Sequence, residues 1–595
     1  MPVTTSYPGI YIQEAASTSH TIIAAPTNIA VFIGYTHPLK TPATNLNKAV
    51  ELFSFSDYQA QFGGFVRSGA FANAFGTNPH PPNPGAFGDM AQAVSQFFLN
   101  GGTNAYVVSL LNGELGSLDP CALWLTRGSA PGSWQLEVAP AGQTAPANAV
   151  VFTAQEVTDE NYAMSVTIRP GQTTSPPSAQ VADIVITYGP APPPATSPPG
   201  SPPATPVISG PGTTIETYQR VSLSRYLPDG KTLNPNFIQS RLSGSALVTV
   251  AVGSVEAAWP AGTVTQLLGT YLPQATRFYN PQDYVAVLQE DTDLDKVPVF
   301  NMMVLPGIAN NGATWPADKS GALILREAIA FCERRMAFLT MDPPIGDSAD
   351  GTVPPLSNPI QNSVNLGLIP ESKNAGLYFP YLLTPDPITG AATNAVTGQP
   401  NQIPPAGTVA GIFAATDLAH GVWKAPAGLQ TRLDPTVTGV VASGRMTDPR
   451  EEILNLLGVN CLRQFPNIGT VVFGARTTAL ADQQWTYVPV RRMALFLEQT
   501  LYANLKWVIF EPNADPLWTA ISMSVNAFMQ GLFKEGAFQG DTPNAAFVVQ
   551  CNSQTTTQAD IDAGRVNIVV GFAPLKPAEF VIITLTLLAG QTQTS

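Results

Sequence analysis

The chain has 595 residues, 44% of them hydrophobic, a length that suits about three or four domains with real cores. Only 12% of residues are charged, roughly half the usual ~25%. The balance of 28 Lys and Arg against 41 Asp and Glu leaves a net charge of −13. With no basic cluster, nucleic acid is excluded as an expected partner, and anionic membrane surfaces are disfavoured. No apolar run approaches the roughly 20 residues of a spanning helix, and the first basic side chain is Lys40, so no secretory n-region is read. A charge-poor chain of this kind either hides much of its outside against other chains or has a surface of Thr, Ser, Asn, Gln, Gly and Pro. Composition leaves both open.

Residues 1–25 read as an extended arm. A turn at Tyr7-Pro8-Gly9 precedes a short β-prone run, Ile10-Tyr11-Ile12, and disorder alone would hardly gather Tyr and Ile in this way. Residues 29–34 (IAVFIG) predict a buried strand, 56–62 and 90–99 helices, and 105–110 a further strand. Asn100-Gly101-Gly102 supplies a helix stop, and strand, helix, strand at this spacing predicts a layered α/β core. From about Gly116 to Val255 the signals change to short β runs at 134–138, 164–168, 181–188, 214–223 and 246–252. A proline-dense stretch, 192–206, reads as an exposed connection within this module.

The α/β pattern resumes after Gly262. A short helix is expected at 267–272, strands at 284–288, 297–304 and 337–341, and a helix at 320–336. The β-rich module therefore reads as an insertion into one core. Residues 342–422 look loop-heavy. The last hundred residues carry the densest patterning. Val490, Met493, Ala494, Leu497 and Leu501 form a helical stripe, with Arg491, Arg492, Glu498 and Gln499 off it. Trp507-Val508-Ile509-Phe510 reads as a buried strand. A second helix is expected with Asp515 as N-cap and Pro516 at its first position, its stripe being Leu517, Ile521, Val525, Phe528, Met529 and Leu532. Strands at 546–551 and 566–572 flank a polar turn, and residues 580–588 (FVIITLTLL) form a terminal apolar strand with no evident partner in the chain.

Traces of chemistry are weak. The histidines are His20, His37, His80 and His420. A Ser/His/Asp arrangement of His420 with Ser443 or Ser245 can be imagined, but no G-x-S-x-G elbow accompanies it. Neither H-E-x-x-H nor C-x-x-C is present. Asp291, Asp293 and Asp295 alternate as in a calcium loop, without its central Gly and terminal Glu. No phosphate-binding glycine motif is complete. No catalytic, cofactor or metal site is expected. Cys121, Cys332, Cys461 and Cys551 are far apart in apolar surroundings, which suits reduced core thiols in a cytoplasmic protein.

Several blocks carry a family resemblance. SYPGIYIQE (6–14), NIAVFIGYT (28–36), GVWKAPAG (421–428), FGARTTA (473–479), YVPVRRMALFLEQTLYANLKWVIFEPN (487–513), LWTAISMSVNAFMQGLFKEGAFQG (517–540) and TTTQADIDAGRVNIVVGFAPLKPAEFVIITL (555–585) occur in one order. Together they resemble contractile tail sheath proteins of phages and extracellular contractile injection systems. The resemblance is strong over 421–588, good over 1–110 and loose between. The run LLGVNC (456–461) departs from the family's usual Asn-Pro-x-Gly-Ile-Asn.

The resemblance implies an α/β multidomain chain. Its parts would be an N-terminal arm (1–25), a layered, subtilisin-like but non-catalytic core (26–115 and 256–480), and a β-rich outward insertion (116–255). A C-terminal α/β sheath domain (481–575) and a C-terminal arm (576–595) would complete it. It further implies polymerisation of many copies around an inner tube protein, between baseplate and terminal cap proteins, with cytoplasmic assembly in a bacterium into a phage-tail-like particle. Inter-subunit arm contacts are expected at Tyr7, Ile10, Tyr11, Ile12, Phe580, Val581, Ile582, Ile583, Thr584 and Leu585. Asn526, Gln530, Lys534 and Glu535, on the polar face of the second C-terminal helix, are the candidate inner-tube contacts. A static shell or baseplate protein, and a serine hydrolase, are the rival readings.

Overall fold

The computed structural model describes residues 20–37, 39–66, 86–110, 121–127, 134–140, 143–158, 162–171, 178–191, 207–210, 212–254, 259–260, 262–268, 281–306, 308, 320–343, 369–393, 401–441 and 445–579. Two compact units emerge. The larger holds residues 28–415 and 426–483; the smaller holds 1–27, 416–425 and 484–595.

The larger unit is built on one eight-stranded sheet. Its order is Gly469–Val472, Val459–Phe465, Ala375–Phe379, Phe338–Met341, Met302–Val304, Ile29–Gly34, Asn104–Ser109 and Ala49–Leu52. The inner strands all run parallel, and an antiparallel strand closes each edge. Parallel strands covered on both faces must be apolar along their length, and Ala30 to Ile33 and Phe338 to Met341 are buried throughout. Ala86–Leu99 ends as the sequence predicts: Gly101 takes φ +101°, and the Gly102 amide reaches back to the Phe97 carbonyl at 2.9 Å.

The chain leaves this sheet after Asn104–Ser109 and builds an antiparallel β-sandwich. One sheet runs Val248–Val252, Val150–Ala154, Ala122–Arg127, Trp134–Val138; the other Val264–Leu267, Tyr162–Gly171, Ser178–Pro190, Thr214–Val221. Leu123, Leu125, Phe152, Met164, Ile184 and Ile186 close its core from both sides. The sandwich meets the parallel sheet where Glu156 faces His37 and Lys40. The fully buried His37 ring lies 3.2 Å from the Glu156 carboxylate, while its Nδ1 accepts the backbone amides of Leu39 and Lys40. Burial alone would raise the Glu156 carboxyl; His37 and Lys40 hold it below the usual range.

Several expectations are corrected. Residues 284–288 lie in and just after a helix, Pro281–Val287, because Tyr284, Val287 and Leu288 are buried at i, i+3 and i+4. The strand expected at 297–304 shortens to Met302–Val304. In place of a helix beginning at Leu267, Val264–Leu267 is a strand of the sandwich; residues 269–272 lie outside the described set. The stretch 342–422 holds a fifteen-residue helix, Ala406–His420, together with the strands Ala375–Phe379, Leu382–Thr384 and Asn401–Ile403. That helix shows no amphipathic stripe because most of its circumference is buried. Gly407 and Gly411 bring it against the backbone of Ala86–Leu99, where an added Cβ would come within 2.6 Å of the Ala93 and Phe97 carbonyls. Asp342, at the end of Phe338–Met341, caps it by accepting the Ala406 amide at 2.7 Å.

Candidate assembly interface

The smaller unit is organised by two long helices, Val488–Asn504 and Asp515–Lys534. The second carries the predicted stripe: Leu517, Ile521, Val525, Met529 and Leu532 are buried, and Phe528 is partly so. Its N-cap is Ala514, one residue earlier than expected, so Asp515 and Pro516 fall within the first turn. Tryptophan 507 and its followers do not form a strand. Lys506–Val508 is a single 3₁₀ turn, and Ile509 and Phe510 point into solvent.

The first helix departs from the sequence reading in a telling way. Arg491, Arg492 and Gln499, placed on its polar side, are all buried. Arg492 makes a two-pronged pair with Asp417, Nη1 donating to Oδ1 at 2.9 Å and Nη2 to Oδ2 at 2.6 Å. Burial pushes the Asp417 carboxyl up and Arg492 opposes it. The same guanidinium also donates to the Thr27 carbonyl at 3.0 Å.

Further along, Thr500 Oγ1 accepts the Ala25 amide at 3.1 Å. Asn504 brackets Ile23, accepting its amide at 3.0 Å and donating to its carbonyl at 2.8 Å. Ile22 sinks into the unit's core, and the His20 ring stacks on Trp507 at 3.8 Å. The polar side of this helix is thus a rail of hydrogen-bonding groups that holds residues 20–27 in an extended line. Ile22 alone of these residues is buried, and Arg492, Thr500 and Asn504 hold the backbone on either side of it by hydrogen bonds from one helix.

The second half of the unit presents a two-stranded antiparallel sheet, Phe547–Gln550 with Val569–Phe572. The first strand is one residue shorter at each end than 546–551, and the second begins three residues later than 566–572 and ends at the same residue. Phe547 and Phe572 are register partners and pack on Phe538, ring centroids 6.0 Å apart in each case. The intervening polar segment contains a helical turn, Gln558–Asp562, fixed by a capping box between Thr557 and Asp560. Among the described residues each of the two strands has only the other as a strand partner. A two-stranded sheet is marginal by itself, and open edges are templates for another strand. Past it the chain stays extended: Phe538 bridges to Pro574, and Tyr487 Oη donates to Glu579 at 3.2 Å.

Of the predicted arm residues, Tyr7, Ile10, Tyr11, Ile12 and Phe580 to Leu585 lie outside the described residues. What the structure adds is where each terminal segment departs, beside Trp507 and beside Tyr487. Asn526, Lys534 and Glu535 are exposed on or just beyond Asp515–Lys534, with Gln530 partly covered. Asn526 donates to the Ser522 carbonyl, an ordinary solvent-side contact.

The imagined hydrolase set gains nothing. Ser245 is engaged by Glu216 and accepts the Leu247 and Val248 amides; His420 is exposed at a helix end; Ser443 and His80 lie outside the described residues. Asp293 accepts the Ala49 amide, and Asp295 faces Arg334 and Arg335. Among the described residues no group of three His, Cys, Asp or Glu is placed to hold a metal. The four cysteines are unpaired, and burial raises the thiols of Cys332 and Cys461 far above their usual range.

Among the described residues, the stretches 20–27 and 573–579 are both held on the smaller unit, beside the two-stranded sheet. Comparison with known proteins adds the following. Residues 481–587 match the family model of the phage tail sheath C-terminal domain. A tail sheath protein of Vibrio phage KVP40 is 24% identical over 190 residues, 32% of this chain. The match spans only 27% of that protein's length. Among solved structures, a chain of the anti-feeding prophage helical sheath in its contracted state has a TM-score of 0.52 at 18% identity, covering 98% of this chain and 99% of that one. A chain of the anti-feeding prophage baseplate gives 0.50 at 19% identity, with coverage of 98% and 99%. The resemblance to tail sheath proteins read from the sequence is borne out, and the mixed α/β multidomain fold is shared with these particles' subunits.

Proposed function

We propose that the chain is the structural subunit of a contractile sheath, which polymerises around an inner tube and shortens to drive that tube through a target envelope. The observation that carries the reading is the two-stranded sheet Phe547–Gln550/Val569–Phe572, which has no third strand among the described residues and lies inside the region that matches the sheath C-terminal domain. Residues 580–595 follow directly from the segment held by Tyr487, and at ~3.3 Å per residue they reach ~50 Å when extended. That exceeds the breadth of a hundred-residue domain, whose radius of gyration is about 13 Å. Donating Val581 to Leu585 to an open edge on a neighbouring copy satisfies backbone groups and buries apolar side chains together. Residues 1–19 leave beside Trp507 and would give Tyr7 and Ile10 to Ile12 to another neighbour.

In this scheme the divisions are those of the sequence: an arm over 1–25, a core over 26–115 and 256–480, the β-rich insertion over 116–255, a sheath domain over 481–575 and an arm over 576–595. A subtilisin-like, non-catalytic core fits the parallel sheet and the dispersed histidines. Asn526, Gln530 and Lys534 recur at i+4 on one helix side and are suited to face the inner tube, with Glu535 beside them. Baseplate and cap proteins would close the two ends. Assembly in the bacterial cytoplasm suits the unpaired buried thiols. No cofactor is needed, because contraction would draw on newly buried surface at ~25 cal/mol per Å².

The test is truncation of residues 580–595, followed by electron microscopy. The expected product is a folded, monodisperse subunit that forms no tubes while the full chain does. Normal tubes from the truncated chain would contradict strand donation. Sheaths of the full chain that never change length or diameter would indicate a static shell.

A further inference from the structure

The loop between the two long helices presents an aromatic side chain in an unusual state. Phe510 is fully exposed, and its φ is 72°. A bulky residue rarely enters the left-handed region, and such strain persists only where the surroundings enforce it. Here they do. The Glu511 amide reaches the Val508 carbonyl at 3.2 Å. Asn513 is fixed on both sides, its Oδ1 accepting Trp518 Nε1 at 2.8 Å and its Nδ2 donating to the Arg565 carbonyl at 2.9 Å. Ile509 beside it is 62% exposed. Glu511, the next residue, is an exposed carboxylate. The result is an apolar knob on a hydrogen-bonded turn with one carboxylate beside it, for which the monomer's own stability offers no reason.

A site of opposite character exists in the larger unit. The hairpin Val459–Phe465/Gly469–Val472 borders a cleft of about 640 Å³ lined by Val440, Met446, Phe465 and Ile468, with Arg432 and Arg445 at its sides. Both arginines are exposed. Its volume falls in the roughly 300–1,000 Å³ range of clefts that accept a compact group. Polar and apolar groups share its lining about equally: Gln464 and Asn467 border it, Met446, Phe465 and Ile468 offer contact to Ile509 and Phe510, and its two cations suit Glu511.

We propose that the Ile509-Phe510-Glu511 knob of one copy seats in the Arg432/Arg445 cleft of a second copy of this chain. The knob and the cleft are different surfaces, so the contact is heterologous. A contact of that kind repeats from copy to copy, closing into a ring where the rotation closes and running on as a helical array where it does not. The proposal rests on the sheath reading and adds to it a side-chain joint independent of the terminal arms. Pre-organisation of the knob lowers the ordering cost of docking, and the paired charges set register and partner choice.

The test uses full-length Ala514→Cys and Gln464→Cys variants, exposed positions beside the knob and the cleft that leave Phe510 and Ile468 in place, with wild-type chain as the control for native cysteines. The two variants are mixed, assembled and treated with a short bismaleimide. The expected result is a dimer band whose peptides join position 514 to position 464, absent from each variant alone. Tubes that form normally yet yield no 514–464 linkage overturn the joint while leaving the sheath reading intact; a wild-type chain that never forms tubes overturns both. As a second arm, Glu511→Arg alone, or Arg432→Glu with Arg445→Glu, is expected to reduce assembly at least tenfold. Combining all three should restore most of it. Unimpaired assembly of the single-side variants, each melting like wild type, would also overturn the proposal.

Discussion

Asn504→Ala should release the N-terminal segment without unfolding the unit that holds it. Asn504 accepts the Ile23 amide at 3.0 Å and donates to the Ile23 carbonyl at 2.8 Å. Each such bond contributes about 1 kcal/mol net, so the pair stabilises docking of this stretch by about 2 kcal/mol. At 1.36 kcal/mol per decade, that is roughly a thirtyfold increase in the open population. Burial of Ile22, stacking of His20 on Trp507 and the Thr500 and Arg492 contacts remain, so the global melt should move little. Hydrogen exchange read by mass spectrometry on peptides covering 20–27 and 515–534 separates the two effects. The expected outcome is faster exchange at Ile23 and Ala25 with the Asp515–Lys534 helix unchanged. Equal exchange at Ile23 in variant and parent would refute the rail; equal acceleration everywhere would show that Asn504 supports the whole unit.

Arg492→Met leaves Asp417 buried without its bidentate partner and should destabilise the smaller unit by about 3–5 kcal/mol; Arg492→Met with Asp417→Leu should recover a large part of that in thermal melts. Asp342 is pushed up to about 7 by burial, and burial followed by Asp342 itself raises the Asp89 carboxyl. A raised folded-state pKa stabilises fully below the unfolded value near 4 and is lost as pH rises through about 7. Asp342→Asn keeps an acceptor for the Ala406 amide, so it should match the parent at pH 4 and exceed it at pH 8 by up to about 4 kcal/mol. Denaturant melts across that range check the sign; a variant less stable at pH 8 would contradict it. Phe510→Gly relieves the left-handed strain and should raise subunit stability by about 1 kcal/mol while weakening assembly.

The patterned helices of the smaller unit were legible because their apolar residues recur at helical spacing; Ile521, Val525, Met529 and Leu532 all reached the core. Ala406–His420 was not legible, since a helix buried on most sides leaves no polar stripe; its trace was the small pair Gly407 and Gly411. Tyr284-Val285-Ala286-Val287 is short and apolar enough to read either way, and Pro281 at its start was the overlooked cue. The functional polar residues were the least legible. Arg492 resembles a solvent-side arginine until Asp417 and Thr27 are brought beside it from distant parts of the chain. Apolar composition placed Phe510 in a buried strand, whereas Asn513, Pro512 and the capping geometry of the next helix turn it outward.

The most direct measurement is a cryo-EM map of tubes assembled from the full chain, at a resolution that traces side chains. Residues 581–585 should lie as an added strand against the Phe547–Gln550/Val569–Phe572 sheet of a neighbouring copy. A C-terminal segment paired with the sheet of its own chain, or a map in which both edges of that sheet stay open, would contradict strand donation as the linkage of the sheath.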